Sequence, residues 1–401
     1  RKDAASAVDR RALDLLMVGA ERRAAELLNQ PGPHGKKALA ALRRAARGTW
    51  QDGERRLMAG FLAGLGAISW DALATAQLEA LEALVDGESP GTEDHLAVAS
   101  YLATVRWNYG KQARAIAGLL RAVDTYLDRH EGALSSAQNS YVETLVSYME
   151  TGNQHRDAEA LLGRIEARAA TAGQRWWARN RGLAVMAHAL QAGGTASAGT
   201  GTVLYGALRD RLYEELASQP PQNHNTLVAT LTRMFYAARD RRVGDPSGDL
   251  QRFVRDYLPA VLAAQTNDLQ NIVGQIADCL QNVVHAREAL AFLVERLEGE
   301  PDWYLQTNQS GWNWHGYRLG NLRRLAGPLG PLEDRLFALV AVQLRRDLGT
   351  RQRPNAAFYH RSYGEFWNEK ADAFAAIARE VLGANPDDGP LIEYAAQYLW
   401  D

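Results

Sequence analysis

The sequence contains one cysteine and only five lysines, and both shortages exclude something. A single thiol can form no disulfide within the chain and cannot build a cysteine-rich metal site. Cys279 lies in the apolar stretch IADCLQNVV, which favours a buried, inert thiol over a nucleophile. Arginine supplies most of the 45 basic residues. We interpret this bias, together with the many Ala and Gly residues, as genome composition rather than selected guanidinium chemistry.

Long apolar runs and an excess of charge are missing as well. The longest conspicuous apolar run, LFALVAVQL at 336–344, is about half as long as a membrane span. The net charge is −2, which argues against a chain built to coat nucleic acid. A length of 401 residues exceeds one ordinary compact core, so two or three domains or an extended array are expected.

Residues suited to catalysis are scattered along the chain. The nine histidines form no HExxH motif and no pair at helical i, i+4 spacing, and no GxSxG elbow occurs. Glu300 and Asp302 could serve acid–base chemistry, but a turn at Pro301 with Asp302 as a helix cap explains the same residues. The sequence therefore predicts no catalytic, cofactor-binding or metal-binding residue, and the chain is not expected to be an enzyme.

Helical periodicity dominates the informative parts of the sequence. The stretch LATAQLEALEALV at 73–85 places Leu and Ala at spacings of three and four, and several later stretches do the same. Alternating strand patterns are scarce. Pro and Gly collect between the helical stretches, as in PGPHG at 31–35 and QPPQNHN at 219–225. The pattern predicts an all-α protein.

Five glycines that each end a helical stretch follow one another at intervals of 45, 46, 42 and 41 residues. They are Gly19, Gly64, Gly110, Gly152 and Gly193. Each interval has room for two helices, and glycine suits the left-handed position just past a helix end. A two-helix unit at a near-constant period is typical of an α-solenoid. Chance alignment among the 35 glycines of the chain is the alternative.

Parts of the chain resemble tetratricopeptide repeats. GKQARAIAGLLRAV at 110–123 and GNQHRDAEALLGRI at 152–165 resemble the turn and second helix of that family, and Leu102 and Ala103 match its large–small pair. The period exceeds the family's period of about 34 residues and the consensus tryptophan is missing, so HEAT-like hairpins stay open. The resemblance implies antiparallel helical hairpins stacked as a right-handed α-solenoid, an α-α superhelix.

The glycine-rich stretch GGTASAGTG at 193–201 interrupts the helical pattern. Nine small residues cannot bury enough surface to order themselves, and the Lys-Ser/Thr that would mark a phosphate-binding loop is missing. We predict an N-terminal helical-hairpin array at 1–192, a flexible linker at 193–201 and a C-terminal helical array at 202–401. The chain begins without methionine and ends inside a helical pattern, so we expect a segment of a longer, cytoplasmic protein.

The most unusual stretch is the aromatic loop PDWYLQTNQSGWNWHGYR at 301–318. Aromatic side chains with polar tips beside Asn and Gln are typical of recognition surfaces. The predicted partner-binding residues are Trp303, Trp312, Trp314, His315, Tyr317 and Arg318. A local core formed by a long loop is the alternative, and the concave face of 90–192 is then the remaining candidate surface.

The predicted function is a non-catalytic protein–protein interaction module or scaffold. It would bind a protein or peptide partner, or another domain of its own chain, on a concave helical face. Arginines interleaved with aromatics at 344–367 could hold single-stranded nucleic acid, but no basic stripe matches them elsewhere, so nucleic acid, membrane, metal and cofactor are not expected as partners. Two alternatives stay open, an α/α-toroid enzyme with a tryptophan-lined substrate cleft and a purely structural spacer.

Overall fold

The all-α prediction is confirmed for the residues that the computed structural model describes, in which every regular element is a helix and no strand occurs. The described residues are 17–23, 32–46, 53–193, 198–264, 269–299, 314–349, 359 and 362–400. The chain divides into two compact units, Arg1–Val185 (unit 1) and Met186–Asp401 (unit 2). Among the described helices, none combines the length and apolarity that crossing a bilayer requires.

Unit 1 holds a short helical segment at 17–23 followed by longer helices. These are α1 (Gly32–Ala46), α2 (Glu54–Gly64), α3 (Asp71–Gly87), α4 (Glu93–Asn108), α5 (Gln112–Arg129), α6 (Ser136–Thr151), α7 (His155–Arg168) and α8 (Ala172–Ala192), within which the unit boundary falls. From α2 to α7 each helix packs against its successor. In addition, α1 packs on α3, α2 on α4 and α4 on α6.

Helix α4 lies at the centre of unit 1 and is apolar on almost every side. It packs against α2, α3, α5 and α6. Its Leu96 and Ala103 are buried in a core shared with α5 to α8, whereas Val98 and Val105 are buried in a core shared with α1 to α3. Helix α4 therefore connects the two cores of this unit. Each Val or Leu side chain that it buries stabilises the fold by about 1.5–3 kcal/mol.

Caps of the expected chemistry begin two of these helices. The Thr92 hydroxyl accepts the backbone N–H of His95 at 3.1 Å and so starts α4. A capping box formed by Ser135 and Gln138 starts α6, because each side chain accepts the backbone N–H of the other residue. Such caps satisfy donors that a helix leaves unpaired at its first turn.

The aligned glycines take the left-handed conformation only in part. Gly110 (φ 70°) and Gly193 (φ 60°) do so, while at Gly152 the next residue, Asn153 (φ 57°), does instead. Gly64 is the last residue of α2, and the left-handed glycine is two residues further on. At the end of α4 the Lys111 N–H donates to the Arg106 carbonyl at 2.8 Å, which closes the Schellman-type turn that a left-handed residue permits.

Unit 2 contains the remaining helices and a short 3₁₀ turn at Pro221–Asn223. They are α9 (Ala198–Ser218), α10 (His224–Arg241), α11 (Pro246–Asp256), α12 (Leu258–Ala263), α13 (Leu269–Val283), α14 (Ala286–Gly299), α15 (Trp314–Ala326), α16 (Pro331–Gly349), α17 (Glu365–Glu369), α18 (Ala371–Ala384) and α19 (Gly389–Trp400). The main packing follows chain order, with α10 on α9, α11 and α13, α14 on α13, α15 and α16, and α18 on α16 and α19.

The predicted linker at 193–201 falls between α8 and α9. Helix α9 begins at Ala198, so the last four residues of the stretch are helical, while 194–197 lie outside the described residues. The buried side chains of Tyr205 and Leu208 anchor this helix, which is the packing that the glycine-rich stretch itself lacks. The two compact units meet at Val185 and Met186. The division into arrays at 1–192 and 202–401 stays a prediction.

Candidate functional site

The predicted aromatic loop at 301–318 is described only at its end. Trp303 and Trp312 lie outside the described residues. Trp314 and His315 form the first turn of α15, and Tyr317 and Arg318 follow in the same helix. The C-terminal part of the predicted loop is therefore helical.

Arg318 forms an ion pair inside unit 2. Its Nε and Nη2 atoms donate to the two carboxylate oxygens of Asp278 at 3.0 and 2.9 Å, which ties α15 to α13 in a bidentate pair. Tyr317 is 48% exposed and lines a small cavity of about 200 Å³ with Arg323 and Phe366. Of Tyr317 and Arg318, Tyr317 is thus the residue that presents a large part of its surface to solvent.

Unit 1 carries a more extensive surface, formed by the alternate helices α4, α6 and α8. We call it the first-helix face and define it as Tyr101 and Thr104 of α4, Tyr141, Thr144 and Tyr148 of α6, and Asn180 of α8. The spacings of three and four place these side chains on one side of each helix. All six are half-buried, so part of each residue stays accessible to solvent.

Contacts between α4 and α6 hold the centre of this face. The rings of Trp107 and Tyr148 stack with centroids 4.2 Å apart and planes 5° from parallel. The Tyr148 hydroxyl donates to the Thr104 hydroxyl at 3.3 Å, and the Thr104 hydroxyl donates to the Ser100 carbonyl at 3.0 Å. A stacked pair and a chain of hydrogen bonds thus fix the orientation of the Tyr148 ring.

A charged cluster borders the face on the side of α2. Arg56 lies 3.3 Å from Glu93 and 3.6 Å from Asp94, and its Nη2 also donates to the Tyr141 hydroxyl at 3.3 Å. Burial raises the pKa of Tyr141, although the Arg56 guanidinium opposes that rise, so the phenol is neutral at physiological pH. The Tyr141 hydroxyl therefore accepts from Arg56 and keeps its own proton for donation.

A second charged cluster borders the face on the side of α8. Arg181 donates from Nε to Glu143 at 2.7 Å and from Nη1 and Nη2 to Glu150 at 2.9 and 2.6 Å. Burial alone would lower the pKa of Arg181, but its hydrogen bonds to the two carboxylates and their negative charges outweigh burial and raise that pKa. Its side chain is only 16% exposed. Arg181 is thus a fixed cation that joins α8 to α6.

The uncharged centre of the face has a pattern that sequence reasoning could have found. On α6 the apolar residues Val142, Leu145 and Met149 are buried. Tyr141 and Tyr148 lie at the edge of this apolar stripe, about 90° round the helix, and are half-buried against the same core. Two tyrosines seven residues apart along one edge of the apolar stripe form a local pattern that the sequence displays. The pairing of Tyr148 with Trp107 had no such signal, because it joins residues of the separate helices α6 and α4.

The first-helix face offers hydroxyl, amide and aromatic groups but no nucleophile next to a base. In the described ranges, no group of three or more His, Cys, Asp or Glu could hold a metal ion. Cys279 is fully buried as predicted, and burial raises the pKa of its thiol to about 12, which makes it inert. No family model, curated protein or solved structure matches this chain.

Proposed function

We propose that the chain is a non-catalytic protein-interaction module whose helical hairpins stack as a right-handed α-solenoid, with the first-helix face of unit 1 as its peptide-binding surface. The helices from α2 to α6 pack in chain order, and α2 also packs on α4 and α4 on α6, which supports the stacking. In an array of this kind the first helices of successive hairpins form one continuous surface.

Arginine contacts that span one hairpin also support a stack. Four arginines donate to backbone carbonyl groups that lie 41 to 43 residues away in the chain. They are Arg22 to Leu65, Arg168 to Leu127, Arg239 to Asn282 and Arg287 to Pro328. These separations agree with the predicted period of 41–46 residues, as expected where equivalent parts of neighbouring hairpins touch.

The binding proposal depends on the uncharged residues of the first-helix face, which form a stripe between the charged clusters around Arg56 and Arg181. Arg56 and Arg181 each pair with two carboxylates at the borders, so within the stripe itself a partner meets hydroxyl groups and rings rather than charged side chains. A peptide backbone offers one donor and one acceptor per residue, which Tyr, Thr and Asn side chains can pair. Tyrosine also loses little conformational entropy on binding and is enriched among interface hot spots.

The size of the face sets the length of the peptide. Neighbouring helices lie about 8–10 Å apart, so a path across α4, α6 and α8 covers about 20 Å. An extended peptide rises about 3.3 Å per residue, which gives about six residues in contact. A partner segment of this length can come from another protein or from another domain of the same chain.

The test is selection of peptides from a random displayed library on the purified protein. Selected peptides should bind the wild type, and the double variant Tyr141→Ala, Thr144→Ala should weaken them by tenfold or more, about 1.4 kcal/mol. The matched control is Arg164→Ala, because Arg164 is exposed on α7, outside the face. Selection of no peptide, or equal binding to the double variant and the wild type, would contradict the proposal.

A further inference from the structure

A cavity of about 470 Å³ lies on the opposite side of α4 from the first-helix face. On α4 it is lined by His95, Ala99, Leu102, Ala103 and Arg106, which recur at helical spacing. At 100° per residue this stripe points about 180° away from Tyr101 and Thr104. The volume falls within the range of about 300–1,000 Å³ that ligand sites occupy.

The walls of the cavity are the helices that flank α4. Val85 and Asp86 belong to the α3 wall, and Gly118 and Ala122 to the α5 wall. A side chain at Gly118 would first meet Nη1 of Arg106 at 2.9 Å, which is the end of a flexible side chain. No backbone approach therefore requires glycine at this position, and its missing side chain leaves the cavity open.

The two walls carry opposite charges that have no partner among the described residues. Asp86 on α3 and Arg121 on α5 are both exposed, and neither side chain forms an ion pair or hydrogen bond within the described part of the chain. The neighbouring Glu82 is different, because it accepts from Arg106 at 2.7 Å. A ligand in this cavity thus meets one available carboxylate and one available guanidinium.

His95 supplies an unsatisfied polar atom at one end of the cavity. Its Nδ1 atom is buried and has no hydrogen-bond partner. Burial lowers the pKa of His95, and the charge of Arg129 lowers it further, so the imidazole is neutral at physiological pH. A buried polar atom without a partner is costly, and a bound donor or acceptor would remove that cost.

We propose that this cavity binds a short peptide with free termini, whose ammonium group pairs with Asp86 and whose carboxylate pairs with Arg121. The apolar lining of Val85, Leu102 and Leu119 accepts a small aliphatic side chain. From His95 to Arg106 the lining follows about 16 Å of helix, which exceeds the roughly 10 Å of an extended tripeptide. The site is separate from the first-helix face, so the two proposals can fail independently.

The experiment is calorimetric titration with the tripeptide Ala-Leu-Ala and with its N-acetylated and C-amidated forms. The free tripeptide should bind, and each blocking group should weaken binding by about tenfold or more, because it removes one charge-assisted pair. Asp86→Asn should abolish only the preference for a free amino terminus. Arg121→Gln should abolish only the preference for a free carboxylate, which distinguishes paired recognition from general loss of fold.

Gly118→Leu fills the cavity and should abolish binding while the circular dichroism spectrum stays helical. Gly163→Leu is the matched control, because Gly163 is an exposed helical glycine of α7 with no atom near its added side chain. Equal binding of free and blocked peptides, wild-type affinity in Gly118→Leu, or no binding tighter than about 1 mM would overturn the proposal. Retained tripeptide binding in the variant Tyr141→Ala, Thr144→Ala is expected even if the first-helix face binds nothing.

Discussion

Replacing Asp347 by Asn is expected to stabilise unit 2 at neutral pH and to change its stability little at pH 4. Asp347 is 7% exposed in α16 and accepts a hydrogen bond from the Tyr359 hydroxyl. Burial raises the pKa of this carboxyl to about 6, although Tyr359 and the charge of Arg346 oppose the rise. Asparagine keeps an oxygen that can accept from Tyr359 and has no charge to bury.

The direction of the pH dependence follows from which state holds the proton. Between pH 3.8 and about 6 the folded carboxyl of Asp347 is protonated while the unfolded one has ionised, so stability falls as pH rises through this window. The difference between the folded and unfolded pKa values corresponds to a loss of about 3 kcal/mol in the free energy of unfolding. This loss is absent below the window and complete above it. For a unit of this size, about 6–12 °C in melting temperature is expected.

The assay is differential scanning calorimetry of the wild type and Asp347→Asn from pH 4 to pH 7. The variant's advantage in melting temperature should grow across this range and level off above pH 6. Asp334→Asn is the control, because Asp334 is exposed on the same helix. A pH-independent difference between wild type and Asp347→Asn would refute the reasoning, since all other carboxylates are common to both proteins.

Three further outcomes are expected. Cys279 should react with a thiol reagent in the native protein far more slowly than after unfolding, because burial raises its pKa to about 12, and fast native labelling would contradict this. Arg181→Ala should cost about 3–5 kcal/mol in urea unfolding, because it leaves two partly buried carboxylates facing each other, whereas the exposed Arg164→Ala should cost under about 1 kcal/mol. Gly110→Ala should destabilise unit 1 by about 1–2 kcal/mol since its φ is 70°, while Gly163→Ala within α7 should stabilise it, and equal signs would refute the assignment of the turn.

The helices were accessible to sequence reasoning because their signals are local. Leu and Ala at spacings of three and four predict α3, which is apolar on its buried side. The turn after α4 was predicted from Gly110, whereas after α6 the left-handed residue is Asn153 rather than Gly152. Asparagine tolerates that conformation nearly as well, so composition alone does not choose between the two neighbours.

The candidate sites depended on contacts that no local pattern contains. A cluster of aromatics drew attention to 301–318, yet the described part of it includes an arginine already paired with Asp278. The stack of Trp107 on Tyr148 joins α4 to α6, and the cavity beside Gly118 exists only because α3 and α5 stand on either side of α4. Such features require the positions of several helices at once.

The sequence by itself determined that this protein is helical and that Cys279 is buried, since periodicity and apolar context act within about one or two helical turns. Only the tertiary structure decided which polar groups are neutralised and which stay available. Arg181 and Arg121 are both arginines of helical stretches, yet one is enclosed by two carboxylates and the other faces an open cavity. The difference comes from the packing of neighbouring helices, because the energy of a charge depends on what surrounds it in space.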